Sequence, residues 1–103
     1  MLNIRLLEYV IKEYLIVVEQ LLDYTAVINN RIILDSKEFR ERLEKYAYLN
    51  FRQKTNIYKQ LNLIIHDKNN YTMPCKVSGK TERKVVFDYN TYLIIRDLYD
   101  TLI

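Results

Sequence analysis

The chain has 103 residues, half of them apolar, with one cysteine, one glycine and one proline. This predicts a single domain, residues 1–103, without a flexible linker, a disulfide within the chain or a cysteine metal cluster. Residues 45–84 carry nine Lys and Arg against two Asp and Glu, a net charge of +7, whereas the whole chain has a net charge of +3. Basic charge concentrated in one segment favours a polyanionic partner. Charged residues interrupt the apolar N-terminal stretch, so we expect neither a membrane span nor a leader peptide, but a soluble, cytoplasmic protein without a cofactor.

The first predicted element is a helix from Leu2 to about Leu22, in which apolar residues recur every three to four positions. Its polar stripe is narrow, and a helix that is apolar over most of its circumference must be covered on more than one side. We expect a second copy of the chain to supply that cover. The alternative is that this helix lies at the centre of a monomeric core.

A short strand, Arg31–Leu34, is predicted next. It is followed by a helix of about three turns that is capped by Asp35, with Glu38 as the capping-box partner. The mixed charges of this helix are typical of a solvated face. Its buried face is predicted to carry Phe39, Leu43, Tyr46 and Ala47.

A break at residues 48–51, in which Asn50 takes the left-handed conformation, separates this helix from a second one. The second helix is predicted to run from Arg52 or Gln53 to His66, and it contains no acidic residue. The residues expected to point inward are Ile57, Leu61, Ile64 and Ile65. The residues expected on the opposite face are Gln53, Lys54, Asn56, Lys59 and Gln60.

The polar face of the second helix carries the side-chain types that read base edges in DNA. Asn and Gln can bond adenine in two places, and Lys and Arg can bond guanine. A helix in the major groove places its N-terminal half nearest the bases. We therefore expect Arg52 to reach phosphate, and the predicted base-reading residues are Gln53, Lys54, Asn56 and Lys59. The alternative is a basic surface helix with no role in DNA binding.

A hairpin is predicted after a polar turn at residues 67–70. Apolar and polar residues alternate from Tyr71 to Ser78, with Pro74 indicating an edge strand, and Gly79 lies in the reversal. The return strand is predicted to place Val85, Phe87 and Tyr89 on one face. Asn90 or Thr91 is predicted to cap a last helix, whose core-facing or partner-facing residues are Tyr92, Ile95, Leu98, Tyr99 and Leu102.

Four cations surround the tip of this hairpin: Lys76, Lys80, Arg83 and Lys84. Cations on a projecting hairpin can contact phosphate or enter the minor groove, and we expect these four to do so. The alternative is that their charge protects an edge hairpin from aggregation.

The sequence does not predict an enzyme. His66 is the only histidine and is expected to cap a helix end or lie on the surface, and Cys75 is expected to pack as a small hydrophobic residue. We find no nucleotide-binding loop and no metal-ligand spacing in the sequence.

The order helix, strand, helix, turn, helix, hairpin, helix resembles winged helix-turn-helix DNA-binding domains over nearly the whole chain. The phrase TNIYKQLNLI (Thr55–Ile64) is similar to their recognition helices, whereas Asn50 stands where that family often has glycine. The resemblance implies an α+β fold in which N-terminal and C-terminal helices flank a helix-turn-helix and a β-hairpin wing.

In size and layout the chain also resembles the TcpK-like relaxosome accessory proteins of clostridial conjugative plasmids. That resemblance implies a sequence-specific double-stranded DNA-binding homodimer that recognises a plasmid origin of transfer, with a prominent role for the wing, and that acts with a relaxase or other transfer proteins in conjugation. The alternatives are a transcriptional regulator of a mobile element and a protein–protein adaptor that does not bind DNA.

Overall fold

Residues 4–102, which a computed structural model describes, form four helices and a small antiparallel sheet, an α+β arrangement as predicted. The elements are α1 (Ile4–Leu22), β1 (Arg31–Leu34), α2 (Ser36–Leu43), α3 (Phe51–Gln60), β2 (Ile64–Ile65), β3 (Met73–Val77), β4 (Lys80–Asp88) and α4 (Tyr89–Leu102). None of these described helices is long and apolar enough to cross a bilayer. Leu2, predicted to begin the first helix, and the side chain of Leu102 lie outside the described part of the chain.

The sheet is organised around β4. Residues 85–88 of β4 lie between β1 and β2 and run antiparallel to both, with Ile32 and Ile64 each opposite Phe87. Residues 80–84 of β4 pair with β3, in a register that runs from Met73 opposite Lys84 to Val77 opposite Lys80. One strand is therefore shared between the sheet that closes the core and the hairpin that extends from it.

The core lies between α1, α3 and the sheet, and Tyr14 is at its centre. The Tyr14 ring centroid is 5.9 Å from that of Tyr58 on α3, 6.1 Å from Phe87 on β4 and 6.4 Å from Tyr92 on α4. Phe39 makes equivalent ring contacts from α2 with Tyr58 and Phe87, at 5.6 and 5.9 Å. Each large aromatic side chain buries about 150–250 Å², so this cluster contributes strongly to holding the helices against the sheet.

α2 is shorter than predicted. It ends at Leu43 after about two turns, and Tyr46 and Ala47, predicted to be buried, are exposed. Asp35 does occupy the N-cap position, but its side chain makes no capping hydrogen bond. Glu38 accepts hydrogen bonds from Tyr24 and Arg42, and the predicted capping box therefore does not form.

The turn before α3 uses Asn50 in a different way from the prediction. Its backbone is extended, at φ −77° and ψ 167°, and its side chain accepts a hydrogen bond from the Gln53 N–H at 2.8 Å. The Gln53 side chain in turn accepts one from the Asn50 N–H at 3.1 Å, which completes a capping box. The prediction of a left-handed Asn50 was wrong, because an N-cap requires extended backbone.

α3 ends at Gln60, six residues before the predicted end. Asn62 takes the left-handed conformation, at φ +54°, and the Leu63 N–H donates to the Tyr58 carbonyl at 3.0 Å, as at many helix C-termini. Residues 64–65 consequently leave the helix and form β2. Leu61 was predicted to be buried inside the helix but is exposed at its C-cap position, where the helix has already ended.

The hairpin turn was predicted correctly, and the start of α4 was not. Ser78 and Gly79 both have positive φ, 52° and 82°, as a two-residue hairpin turn requires. Tyr89 is the first residue of α4 and does not belong to the return strand. Asp88 is the residue that caps α4, because its carboxylate accepts a hydrogen bond from the Thr91 N–H at 3.1 Å.

Candidate nucleic-acid interface

One face of α3 is exposed and free of acidic residues. Arg52, Gln53, Asn56 and Gln60 all lie on this face. Gln53 uses its side-chain oxygen in the capping box, so its amide nitrogen keeps its capacity to donate. The Asn56 side chain makes no hydrogen bond with any of the described residues, so both its donor and its acceptor are available to an adenine edge.

Lys54 faces the opposite way and is 0% exposed. Its ammonium donates to Glu13 Oε2 at 3.1 Å and to the backbone carbonyls of Leu43 and Tyr46, and it lies 4.3 Å from the centroid of the Tyr48 ring. The prediction that Lys54 lies on the exposed face is therefore wrong, and in this structure its side chain cannot reach a duplex.

Glu13 is also buried, and it joins the same cluster from α1. Its Oε1 accepts a hydrogen bond from the Tyr48 hydroxyl at 3.0 Å, and its Oε2 is bonded to Lys54. Burial raises the pKa of the Glu13 carboxyl, although the charge and hydrogen bond of Lys54 act in the opposite direction. Together the two residues link α1, α3 and the C-terminal end of α2.

The buried pair was missed at the sequence level, although a signal was present. Glu13 stands in the same helical row as Val10, Tyr14 and Val17, which form the buried side of α1. A carboxylate in such a row requires a cationic or hydrogen-bonding partner, because an unpaired buried charge is very costly. The position of Glu13 in this row therefore predicts that a partner exists, but it does not identify the partner residue.

The base of the hairpin is attached to both ends of α3. At the C-terminal end, Lys59 is half-buried and donates to the Asn69 carbonyl at 2.8 Å. At the N-terminal end, the Phe51 ring centroid is 5.3 Å from that of Tyr71. Residues 69–71 are followed by Thr72 and then β3, so these two contacts join the base of the hairpin to the helix.

The two cations nearest the hairpin tip are available to a partner. Lys76 and Lys80 are exposed and form no ion pair within the described residues. They lie on opposite strands, on either side of the Ser78–Gly79 turn. An exposed ammonium in such a position can pair with phosphate without breaking an existing contact.

The other two cations of the hairpin are already engaged on the protein. Arg83 donates to the Thr72 hydroxyl at 3.0 Å and to the Thr72 carbonyl at 2.8 Å, and it pairs with Asp67 at 3.3 Å. Lys84 is half-buried and lies 3.4 Å from a Glu82 oxygen and 3.8 Å from an Asp35 oxygen. Arg83 and Lys84 stand at the end of the paired segment farthest from the turn, opposite Pro74 and Met73.

His66 follows β2 and does not end a helix, contrary to the prediction. Its Nδ1 lies 3.1 Å from the Lys68 carbonyl. Within residues 4–102, no group of three or more His, Cys, Asp or Glu side chains is placed to hold a metal ion.

No protein-family model matches this sequence, and no curated protein is significantly similar to it.

Proposed function

We propose that the chain is a double-stranded DNA-binding protein of the winged helix-turn-helix type, in which α3 enters the major groove and the β3–β4 hairpin is the wing. The order of elements supports this. Three helices precede the hairpin, a short strand lies between the first two, and β4 leaves the hairpin to pair with both β1 and β2. A non-enzymatic role is part of the same proposal.

The main support for the proposal is that the base of the hairpin contacts both ends of α3. Lys59 bonds Asn69 at one end of the helix, and Phe51 packs on Tyr71 at the other. Two acid-poor surfaces are thereby held together: the exposed face of α3 and the hairpin tip. A helix face that carries Arg52 and a hairpin tip that carries Lys76 and Lys80, joined at the hairpin base, suit the duplex backbone, which carries one charge per about 1.7 Å.

The roles of the individual residues follow from what remains exposed and unpaired. Asn56 is the candidate for bidentate recognition of adenine, with Gln53 beside it. Arg52, in the first turn of α3, would contact phosphate. Lys76 and Lys80 would contact phosphate or the minor groove, since contacts of this kind position a protein on the duplex.

Self-association is part of the proposal because apolar side chains remain uncovered on α4. Ile94 and Leu98 are one turn apart on that helix and are 60% and 58% exposed. Ile4, the first residue of α1, is also exposed. A homodimer that uses these helices would bury them and would present two copies of α3 to a two-fold symmetric site.

The narrower proposal is that the target is a plasmid origin of transfer and that a relaxase or another transfer protein is a further partner. It rests on size and layout alone. Regulation of transcription on a mobile element is the competing process. Selection of bound sequences from a pool of random duplexes would distinguish them, since the selected motif can be searched for near transfer genes and near promoters.

The test of DNA binding is the affinity for a labelled duplex at several salt concentrations. If Arg52, Lys76 and Lys80 each contact a phosphate, the logarithm of the affinity should fall with the logarithm of salt concentration at a slope of roughly −3 for each bound chain. Lys37→Ala is the matched control, because Lys37 is exposed on α2 and outside the proposed surface. A slope near zero, or no binding at low salt, would refute the proposal.

Two variants separate the helix from the hairpin. Asn56→Ala should cost about 1–3 kcal/mol on the selected sequence and little on random DNA. Lys80→Ala should weaken binding to both kinds of DNA and reduce the salt slope by about one. If Asn56→Ala has no effect while Lys80→Ala abolishes sequence preference, the hairpin reads the sequence and α3 only positions it.

A further inference from the structure

A groove of about 490 Å³ lies between α1 and the connection from α2 to α3. The residues that line it are Tyr9, Lys12, Glu13, Ile16, Tyr46 and Tyr48. Three of their large side chains, those of Tyr9, Ile16 and Tyr46, are exposed, so the walls of the groove are mainly aromatic and apolar. Its volume is within the range of small-molecule sites in proteins.

The groove is separate from the proposed DNA surface. Glu13 in its wall bonds Lys54, which is on the buried side of α3. Asn56 is exposed on a different side of the same helix. A molecule in the groove would therefore leave that exposed face uncovered.

The charges around the groove favour an anion. A carboxylate beside tyrosine rings could in principle hold a cation, but Glu13 has both oxygens engaged, by Tyr48 and by Lys54. The Lys54 ammonium also covers the face of the Tyr48 ring, at 4.3 Å from its centroid. By contrast, Lys12 is exposed and has no ion pair among residues 4–102, so the groove has one unpaired positive charge at its edge.

We propose that this groove binds a planar aromatic carboxylate, with its ring against Tyr9 and Tyr46 and its carboxylate paired with Lys12. Offset or edge contacts with tyrosine rings stabilise a bound aromatic ring, and the charge-assisted hydrogen bond to Lys12 selects an anion over a neutral molecule. The proposal concerns the isolated chain and does not depend on DNA binding.

The experiment is an NMR titration of the ¹⁵N-labelled protein with 2-naphthoate, in the absence of DNA. The neutral isostere 2-naphthamide and the cation 2-naphthyl-trimethylammonium serve as comparison ligands. We expect saturable shifts of backbone amides in residues 9–16 and 46–48, with a Kd for naphthoate of about 1 mM or tighter. Naphthoate should bind about threefold to fivefold more tightly than naphthamide, as expected for one exposed charge pair.

Two variants test the assignment of residues. Lys12→Gln should remove the preference for naphthoate over naphthamide, whereas the control Lys37→Gln should keep it, because Lys37 is outside the groove. Tyr46→Ala should weaken binding of both ligands. Only the backbone carbonyl of Tyr46 bonds Lys54, and its side chain is exposed, so this truncation spares the buried cluster.

Three outcomes would overturn the proposal. The first is tighter binding of the trimethylammonium compound than of naphthoate, which would assign the groove to cations. The second is a set of shifts confined to other parts of the protein. The third is the absence of saturable shifts at naphthoate concentrations of about 10 mM, well above the expected Kd. Each of these can occur whether or not the protein binds DNA, so the two proposals fail independently.

Discussion

Replacing Lys54 with methionine should strongly destabilise the protein. The substitution keeps the volume and apolar stem of the side chain but removes its ammonium, which bonds Glu13 and the carbonyls of Leu43 and Tyr46. The Glu13 carboxylate is then left buried without its cation. Breaking a buried ion pair in this way costs about 3–5 kcal/mol.

A loss of that size is large for this chain. Domains of this kind have a total stability of roughly 5–15 kcal/mol, so the substitution would remove a large fraction of the free energy of unfolding. In a domain of about 100 residues the melting temperature should fall by about 15–25 °C. Urea denaturation followed by circular dichroism would measure the change directly. Lys37→Met, an exposed substitution on α2, is the control and should change stability by less than about 0.5 kcal/mol.

The double variant Glu13→Leu/Lys54→Met gives the sharper test. It replaces both charges with apolar groups and leaves no unpaired ion, so its cost should be well below the sum of the two single costs. Additive costs would refute the reasoning, because they would mean that the two side chains do not interact. A cost of less than 1 kcal/mol for Lys54→Met alone would also refute it.

Three further outcomes are expected. Because burial raises the folded-state pKa of Glu13, its stabilising contribution is complete at low pH. The stability of the parent relative to Glu13→Gln should therefore fall as pH rises through that raised pKa, by at most about 1.4 kcal/mol per unit, and an opposite slope in a series of urea titrations would contradict this. Gly79→Ala should cost about 1–2 kcal/mol in thermal melts, because φ is +82° while a Cβ would meet no atom within 4 Å. A cost near zero would mean that the turn relaxes. Leu98→Glu should give a monomer in sedimentation with an unchanged circular dichroism spectrum, and a parent that is monomeric at high concentration would remove the dimer proposal.

The elements that could be predicted are those specified by residues close together in the sequence. The hairpin turn is specified by a single glycine between two alternating stretches, and its position was correct. Asparagine carries less information, because it can cap a helix N-terminus in extended backbone or end a helix in the left-handed conformation. Asn50 does the first and Asn62 does the second. Gln53, three residues after Asn50, was the local signal for the capping box.

The candidate site was predictable in part. Lys54 is three and four residues before Ile57 and Tyr58, both buried, so helical spacing alone places it on the buried side of α3. Because no acidic residue is near Lys54 in the sequence, Lys54 was instead assigned to the exposed face. The partner could not have been found in this way, because Glu13 is 41 residues distant in sequence and only the packing of α1 on α3 brings the two together.

The continuity of β4 sets how the hairpin can change in length. Since its two halves form one strand without a break, only insertions that keep the alternation of faces leave the hairpin side chains on their present sides. Adding two residues to each strand would move the tip outward by roughly 7 Å and leave the pairs with β1 and β2 untouched. Adding one residue to each would turn every side chain beyond it to the opposite face. Insertions in whole pairs would therefore vary the reach of Lys76 and Lys80 while the core remains the same.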